Sequence, residues 1–180
     1  MDIDLSKLFE ASECDKALVR IAAGNTDYLQ VIQRYLQRTI YAVAYSVLRD
    51  FSLSDDAVQE TYVRIIEKAS MYTHGTSAKA WVVTMARNIA LDMLKHRRYE
   101  YSDDDIGDLP QDRFDENSIV LSMQVKSALD SLDDDDRQIV TLKVYAGLKH
   151  SEIASIIGIS TEAVKKKYQR ALAKLKAELE

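Results

Sequence analysis

Apolar residues recur at helical intervals along most of this chain. Leu29, Ile32, Leu36, Ile40, Val43 and Val47 follow at steps of three or four, the stripe of an amphipathic helix. Asn25 and Thr26 precede it as candidate N-caps. A second stripe, Val58, Tyr62, Ile65, Ile66 and Ala69, predicts a helix starting near Ser54. Asp55 and Asp56 then fall in its first turn, where the helix dipole favours negative charge. A third stripe, Val82, Met85, Ala86, Ile89, Ala90 and Met93, predicts a helix over residues 77–98. A short helix before residue 24 completes the set. Three such stripes need one shared core, so residues 13–98 are expected to form a helical domain.

The pattern then breaks. Residues 99–114 hold the only proline and a dense acidic run, the composition of a linker. Helical periodicity resumes near Glu116 and continues to residue 179. Within this part, residues 150–157 predict a helix with Ile153, Ala154 and Ile157 inward. Gly158 follows where a positive φ suits glycine, Ile159 plugs the corner, and Ser160 is an N-cap for the next helix. Val164, Tyr168, Ala171, Leu172, Leu175 and Leu179 are its buried stripe. Glu162, Lys166, Gln169, Arg170 and Ala173 fall on the opposite face, flanked by Lys165 and Lys167. A helix-turn-helix needs this arrangement: Lys and Arg meet phosphates or guanine edges, and Gln can read adenine. An ordinary helical hairpin with a solvated basic face shares the outline but not the coincidence of cap, turn glycine, corner isoleucine and three lysines.

Charge changes the picture because it is segregated. The net charge is −5. Residues 1–100 are balanced, residues 101–136 carry −10, and residues 137–180 carry +5. A phosphate backbone feels the local sign within a Debye length, so the acidic total does not argue against a nucleic-acid partner. Hydrophobic residues make up 47% of the chain, enough for packed cores. No apolar run reaches the ~18 residues of a membrane span, so direct membrane insertion is not expected. The single cysteine, Cys14, rules out an internal disulfide and fits a reducing cytoplasm. His74, His96 and His150 stand far apart, and no glycine-rich phosphate loop or nucleophile elbow occurs. Neither an enzyme, nor a metal site, nor a cofactor is expected.

Two further faces carry candidate chemistry. The helix over residues 77–98 shows Thr84, Asn88, Leu91 and Lys95 outward, with Arg87 beside them, and ends in Lys95, His96, Arg97 and Arg98. These cations suit a helix C-terminus on dipole grounds alone; a DNA-facing role reads Asn88 as a base contact and the cations as phosphate contacts. Trp81 opens this helix at the edge of its apolar face. The preceding helix exposes Asp56, Gln59, Glu60 and Glu67, which would repel DNA and serve either as solvated surface or as a docking face for a basic protein.

Residues 55–62 (Asp-Asp-Ala-Val-Gln-Glu-Thr-Tyr) resemble the polymerase-binding segment of bacterial sigma factors. Residues 80–98, from Ala80 and Trp81 through Asn88 to Arg98, resemble their promoter-melting and −10 recognition segment. The C-terminal helix-turn-helix resembles their −35-reading region. The short form looks like the extracytoplasmic-function group, and the resemblance covers residues 15–98 and 117–178. It implies an all-α fold of two small helical domains joined by an acidic linker, the second a helix-turn-helix bundle. The expected boundaries are 1–98, 99–116 and 117–180.

By the same resemblance, Asp55, Asp56, Gln59 and Glu60 would contact core RNA polymerase. Trp81, Arg87, Asn88, Lys95, Arg97 and Arg98 would melt and hold the −10 region of promoter DNA, with Asn88 near a flipped base. Lys165, Lys166, Gln169 and Arg170 would read the −35 element, and an anti-sigma protein would be a further partner. The linker, with Asp103, Asp104 and Asp105, would thread the polymerase towards the RNA exit path as a nucleic-acid mimic. The chain departs from the family in having Asp133, Asp134, Asp135 and Asp136 where a proline-containing turn is usual. It also has a lysine triplet at 165–167, and lysine offers point charges where arginine offers a fork. A transcriptional regulator that binds DNA unaided and a decoy that occupies polymerase without melting DNA remain the rival functions.

Overall fold

The computed structural model describes residues 5–100 and 129–179, with side chains described for 11–97 and 129–178. The described residues form helices and turns without a strand: α1 (Leu5–Ala22), α2 (Leu29–Leu48), α3 (Phe51–Lys68), α4 (Ala78–Glu100), α5 (Asp134–Val144), α6 (His150–Ile157) and α7 (Thr161–Leu179). The expected linker over 99–116, its three aspartates 103–105 and the helical restart near Glu116 lie outside the described residues, apart from the end of α4.

The stripe on α2 is buried as expected. Ile32, Leu36 and Ile40 are fully buried against Leu18 and Ile21 of α1, Val58 and Ile65 of α3, and Val82 and Ala86 of α4. Each such aliphatic side chain contributes about 1.5–3 kcal/mol. From Thr39 to Leu48, however, α2 is buried all round. The stripe alone does not explain this. The cause is a fourth neighbour: Val43 and Val83 share a core with Ile139, Leu142, Leu148, Ile153 and Val164 of the C-terminal unit. The two units therefore pack on each other through α2 and α5.

Several expected boundaries shift. The helix before residue 24 is not short; α1 spans 18 residues. Asn25 makes no side-chain cap, because a 3-10 turn at Thr26–Tyr28 intervenes before α2. The helix expected near Ser54, α3, starts at Phe51. Asp50 caps it, accepting from Leu53 N–H at 3.0 Å, and Ser54 is buried with its hydroxyl donating to Asp50 O. A side-chain cap displaced the acidic-first-turn signal, so Asp55 and Asp56 lie in the second turn. Between Leu48 and α3 there is room for only a sharp reversal, which Arg49 makes with φ 54°.

The helix-turn-helix is formed by α6 and α7. Gly158 has φ 84° and ends α6 by donating to Ala154 O at 2.9 Å. No atom lies within 4 Å of a Cβ built there, so backbone conformation, not space, requires the glycine. Ser160 Oγ accepts from Ala163 N–H at 3.1 Å, the expected N-cap of α7. Val164 and Ala171 are fully buried, but Leu172, expected in the same stripe, is 41% exposed. Leu172 points off the packed side of α7, while Leu175, one turn beyond Ala171, still packs against Leu129, Leu132 and Val140.

Candidate nucleic-acid interface

The acidic face of α3 is partly self-neutralised. Arg64 Nη2 lies 2.7 Å from Glu60 Oε1, and its Nε lies 3.7 Å from Glu67 Oε2. These carboxylates hold the Arg64 guanidinium above its ordinary pKa, the hydrogen bond to Glu60 contributing most. Asp55, Asp56 and Gln59 are exposed one turn earlier. The face is therefore most acidic near the start of α3.

On α4 the candidate residues fall into different environments. Asn88 and Lys95 are exposed. Trp81 is half-buried and meets Tyr72 edge-on, ring centroids 5.6 Å apart. Tyr72 is held in turn by α1: its hydroxyl donates to Asp15 Oδ1 at 2.6 Å and is shared with Thr76 O at 2.9 Å. Gly75 N–H donates to the same Oδ1 at 3.0 Å, and His74 Nδ1 is 2.6 Å from Asp15 Oδ2. The loop that leads into α4 is thus latched onto α1 by one carboxylate. Arg97 is partly engaged: its Nη1 donates to Asp50 Oδ2 at 3.2 Å, tying the end of α4 to the cap of α3, while the side chain stays 32% exposed. The side chain of Arg98 lies outside the described residues.

Arg87 faces the C-terminal unit. Its Nε donates to Gln138 Oε1 at 2.7 Å, and its Nη1 to Ile156 O at 3.3 Å. Burial pushes its pKa down, partly offset by Asp135. Beside it runs a cleft of about 610 Å³, bounded by α3, α4 and α6 and lined in part by Arg64, Trp81, Asn88, Glu152 and Ile156. The polar face of Asn88 therefore opens into the space between the two units.

On α7, Lys165 pairs with Glu162 at 3.0 Å within its own helix. Lys166 and Gln169 are exposed and make no side-chain hydrogen bond among the described residues. Lys167 lies 3.0 Å from Asp135 Oδ2, and Arg170 is clamped by Asp136. The basic residues of one helix are thus split between open cations and cations held by the acidic start of α5.

Sequence reasoning missed Arg137, fully buried at the base of this unit. It donates from Nε to Leu129 O at 3.2 Å and from Nη2 to Leu132 O at 3.0 Å, and it pairs with Asp134. Burial pushes its pKa down. Its signal was only its place after four aspartates. Gln138 was also missed; nothing in its local pattern marks it as the partner of Arg87. Among the described residues, no group of three or more His, Cys, Asp or Glu side chains is placed to hold a metal ion, and no helix is long and apolar enough to cross a membrane.

Two family descriptions match the chain and together span more than half of it. Sigma-70 region 2 matches residues 32–100, and Sigma-70 region 4 matches residues 122–175. Similar proteins include a probable RNA polymerase sigma factor RfaY of Xanthomonas campestris pv. campestris, 28% identical over 90% of this chain and 43% of that protein. The ECF RNA polymerase sigma factor SigK of Mycobacterium ulcerans is 28% identical over 92% of this chain and 93% of its own length. This chain thus spans under half of the first relative and nearly all of the second. Two solved structures share the fold. CnrH in complex with the cytosolic domain of CnrY has a TM-score of 0.66 at 23% identity, over 93% of this chain and 97% of that one. The sigma factor RpoE in complex with the anti-sigma factor NepR, from Bartonella quintana, has a TM-score of 0.69 at 24% identity, over 82% and 94%.

Proposed function

The chain belongs to the sigma-70 family, within its extracytoplasmic-function group, and from that membership we propose that it binds core RNA polymerase and directs promoter-specific initiation. It reads −35 and −10 elements and helps to open the DNA. The observation that carries the reading is the presence of both matched regions on one chain, in the order that pairs a strand-opening unit with an upstream reader.

Each face then has a task. Asp55, Asp56, Gln59 and Glu60 dock on core polymerase, where exposed charges steer encounter and fix register more than they add affinity. Asn88 receives a flipped −10 base, with Trp81 beside it and Lys95, Arg97 and Arg98 along the strand backbone. Lys165 and Lys166 meet phosphates, and Gln169 and Arg170 meet base edges. Arg87 is covered by Gln138 and Ile156. The two units must therefore separate before Arg87 can reach a strand, and binding to polymerase supplies the differential affinity for the separated state. The protein performs no chemistry of its own, works in the cytoplasm, and takes an anti-sigma protein as its inhibitory partner.

Run-off transcription with purified core polymerase, followed by mapping of start sites, tests the proposal. Transcripts that start at defined sites only when this chain is added are expected. Tight promoter binding without polymerase would instead make it a regulator, and polymerase binding without any transcript would make it a decoy.

A further inference from the structure

The acidic run at residues 133–136 departs from the family's proline-containing turn, and the structure gives its last member a distinct environment. Asp136 lies in the first turn of α5 and is fully buried against α7. Arg170 Nε donates to its Oδ2 at 3.0 Å, and Arg170 Nη2 lies 2.9 Å and 2.7 Å from Oδ1 and Oδ2. Lys167 Nζ is 3.7 Å from Oδ1. Asp133 and Asp135 also face these cations, but their side chains are 68% and 53% exposed.

We propose that Asp136 is a positioning residue for base reading: it pins Arg170 by the Nε–Nη2 edge so that the remaining Nη1–Nη2 edge faces DNA as a fixed fork. The inference rests on reading α7 as the −35 helix. The opposite possibility is a mask, in which Asp136 competes with DNA for Arg170. Burial decides between them. An exposed carboxylate that loses its cation is resolvated, so Asp133 and Asp135 can release Arg170 and Lys167 freely. Asp136 has no exposed surface. If Arg170 swung away, Asp136 would lose all three of these charged hydrogen bonds and keep one lysine 3.7 Å off, which costs more than releasing an exposed pair. Arg170 therefore keeps this contact when DNA arrives.

The geometry permits this. A guanidinium has five N–H donors in a planar fork. Asp136 occupies the Nε side, and no hydrogen bond to Nη1 occurs among the described residues, while the side chain stays 54% exposed. Two parallel N–H groups remain to meet O6 and N7 of a guanine. Pinning also removes much of the rotamer freedom that a free arginine loses on binding. The lysines at 165–167 cannot replace it, because an ammonium offers no fork. The inference thus predicts one guanine in the −35 element, read by Arg170.

The test uses holoenzyme assembled from core polymerase and the full chain. Duplexes selected from a pool randomised upstream of the start are compared for wild type, Asp136→Asn, Arg170→Lys and the double variant. Wild type is expected to select a guanine at one position. Asp136→Asn should lose on the order of tenfold in affinity for that duplex, and most of its preference for that guanine. Its salt dependence should stay unchanged because Arg170 keeps its charge. Arg170→Lys should lose the same preference, and the double variant should lose no more than either single one. Tighter binding by Asp136→Asn would make Asp136 a mask and overturn the proposal, as would additive losses. Where Asp136→Asn fails to fold, the Arg170 Nε–H resonance of the wild-type full chain gives the answer. It should exchange slowly with and without the selected duplex; its loss on duplex addition overturns the pin. A wild-type holoenzyme that selects no upstream sequence would instead sink the reading of α7 as the −35 helix and this inference with it, even if the free chain still shows a protected Nε–H.

Discussion

Arg87 on α4 and Gln138 on α5 are joined across the two halves of the chain by a hydrogen bond of 2.7 Å from Nε to Oε1. A strand-opening candidate is thus held by the unit that carries the helix-turn-helix. Gln138 is itself buried, so the bond lies inside the contact and not at its rim. Closure of the two units and access of Arg87 to DNA are mutually exclusive.

Gln138→Ala removes the acceptor and leaves a cation without its nearest partner. A hydrogen bond to a charged group contributes about 1.5–3 kcal/mol, so the closed-to-open ratio should fall by roughly tenfold or more. Small-angle scattering should show a larger radius of gyration, and binding to a single-stranded −10 oligonucleotide should rise. An unchanged scattering profile with unchanged strand binding would remove this bond from the account of closure.

Asn88 is exposed and lines the cleft between the units. Asn88→Ala should therefore leave thermal stability within ~0.5 kcal/mol while reducing promoter opening. Permanganate footprinting of the holoenzyme on a mapped promoter reads opening separately from closed-complex binding. Intact open complexes in the variant would take Asn88 out of the site.

Arg137 holds the carbonyls of Leu129 and Leu132 from inside the C-terminal unit. Arg137→Met keeps most of the volume but takes the donor from the buried Leu132 carbonyl and leaves the Leu129 carbonyl with only the Leu132 N–H. Destabilisation of roughly 3 kcal/mol is expected, seen as a lower urea midpoint for that unit. A midpoint within experimental error of wild type would mean that water replaces the guanidinium.

Asp15 should make stability depend on acid pH. Burial raises its pKa, but hydrogen bonds from Tyr72 and Gly75 and the charge of His74 outweigh this, and the net shift is down from 3.8. A carboxyl whose folded pKa is depressed stabilises the fold fully above its unfolded value, and that contribution is lost as pH falls through the folded value. Wild type should therefore melt above Asp15→Asn at neutral pH, and the gap should narrow as pH falls below 3.8. A gap that persists unchanged at the lowest pH would assign the difference to packing. Tyr72, whose pKa burial and Asp15 push up to about 12, stays a donor throughout this range.

Much of the fold was legible because periodicity reports burial. Ile32, Leu36 and Ile40, or Val82 and Ala86, recur at helical steps, and each lies in the core. Gly158 and Ser160 were legible for a different reason: a positive φ and an N-cap are local requirements that few residues meet. The start of α3 was misjudged because two local signals competed, and the cap at Asp50 prevailed over the acidic pair at 55 and 56. Arg137, Gln138 and Asp136 were illegible as buried residues. A charged or amide side chain reads as surface until its partner, distant in space or hidden in a turn, is known.

The helices, the helix-turn-helix corner, the segregation of charge and the family resemblance can be read along the chain, because each rests on the order and spacing of residues. Which cations are open and which are held emerges from the packing of the helices. Arg97 answers to Asp50, Arg87 to Gln138 and Arg170 to Asp136. These pairings depend on how separate helices pack, and the burial of a polar partner such as Asp136, which apolar periodicity does not report, sets whether a cation can leave it for DNA.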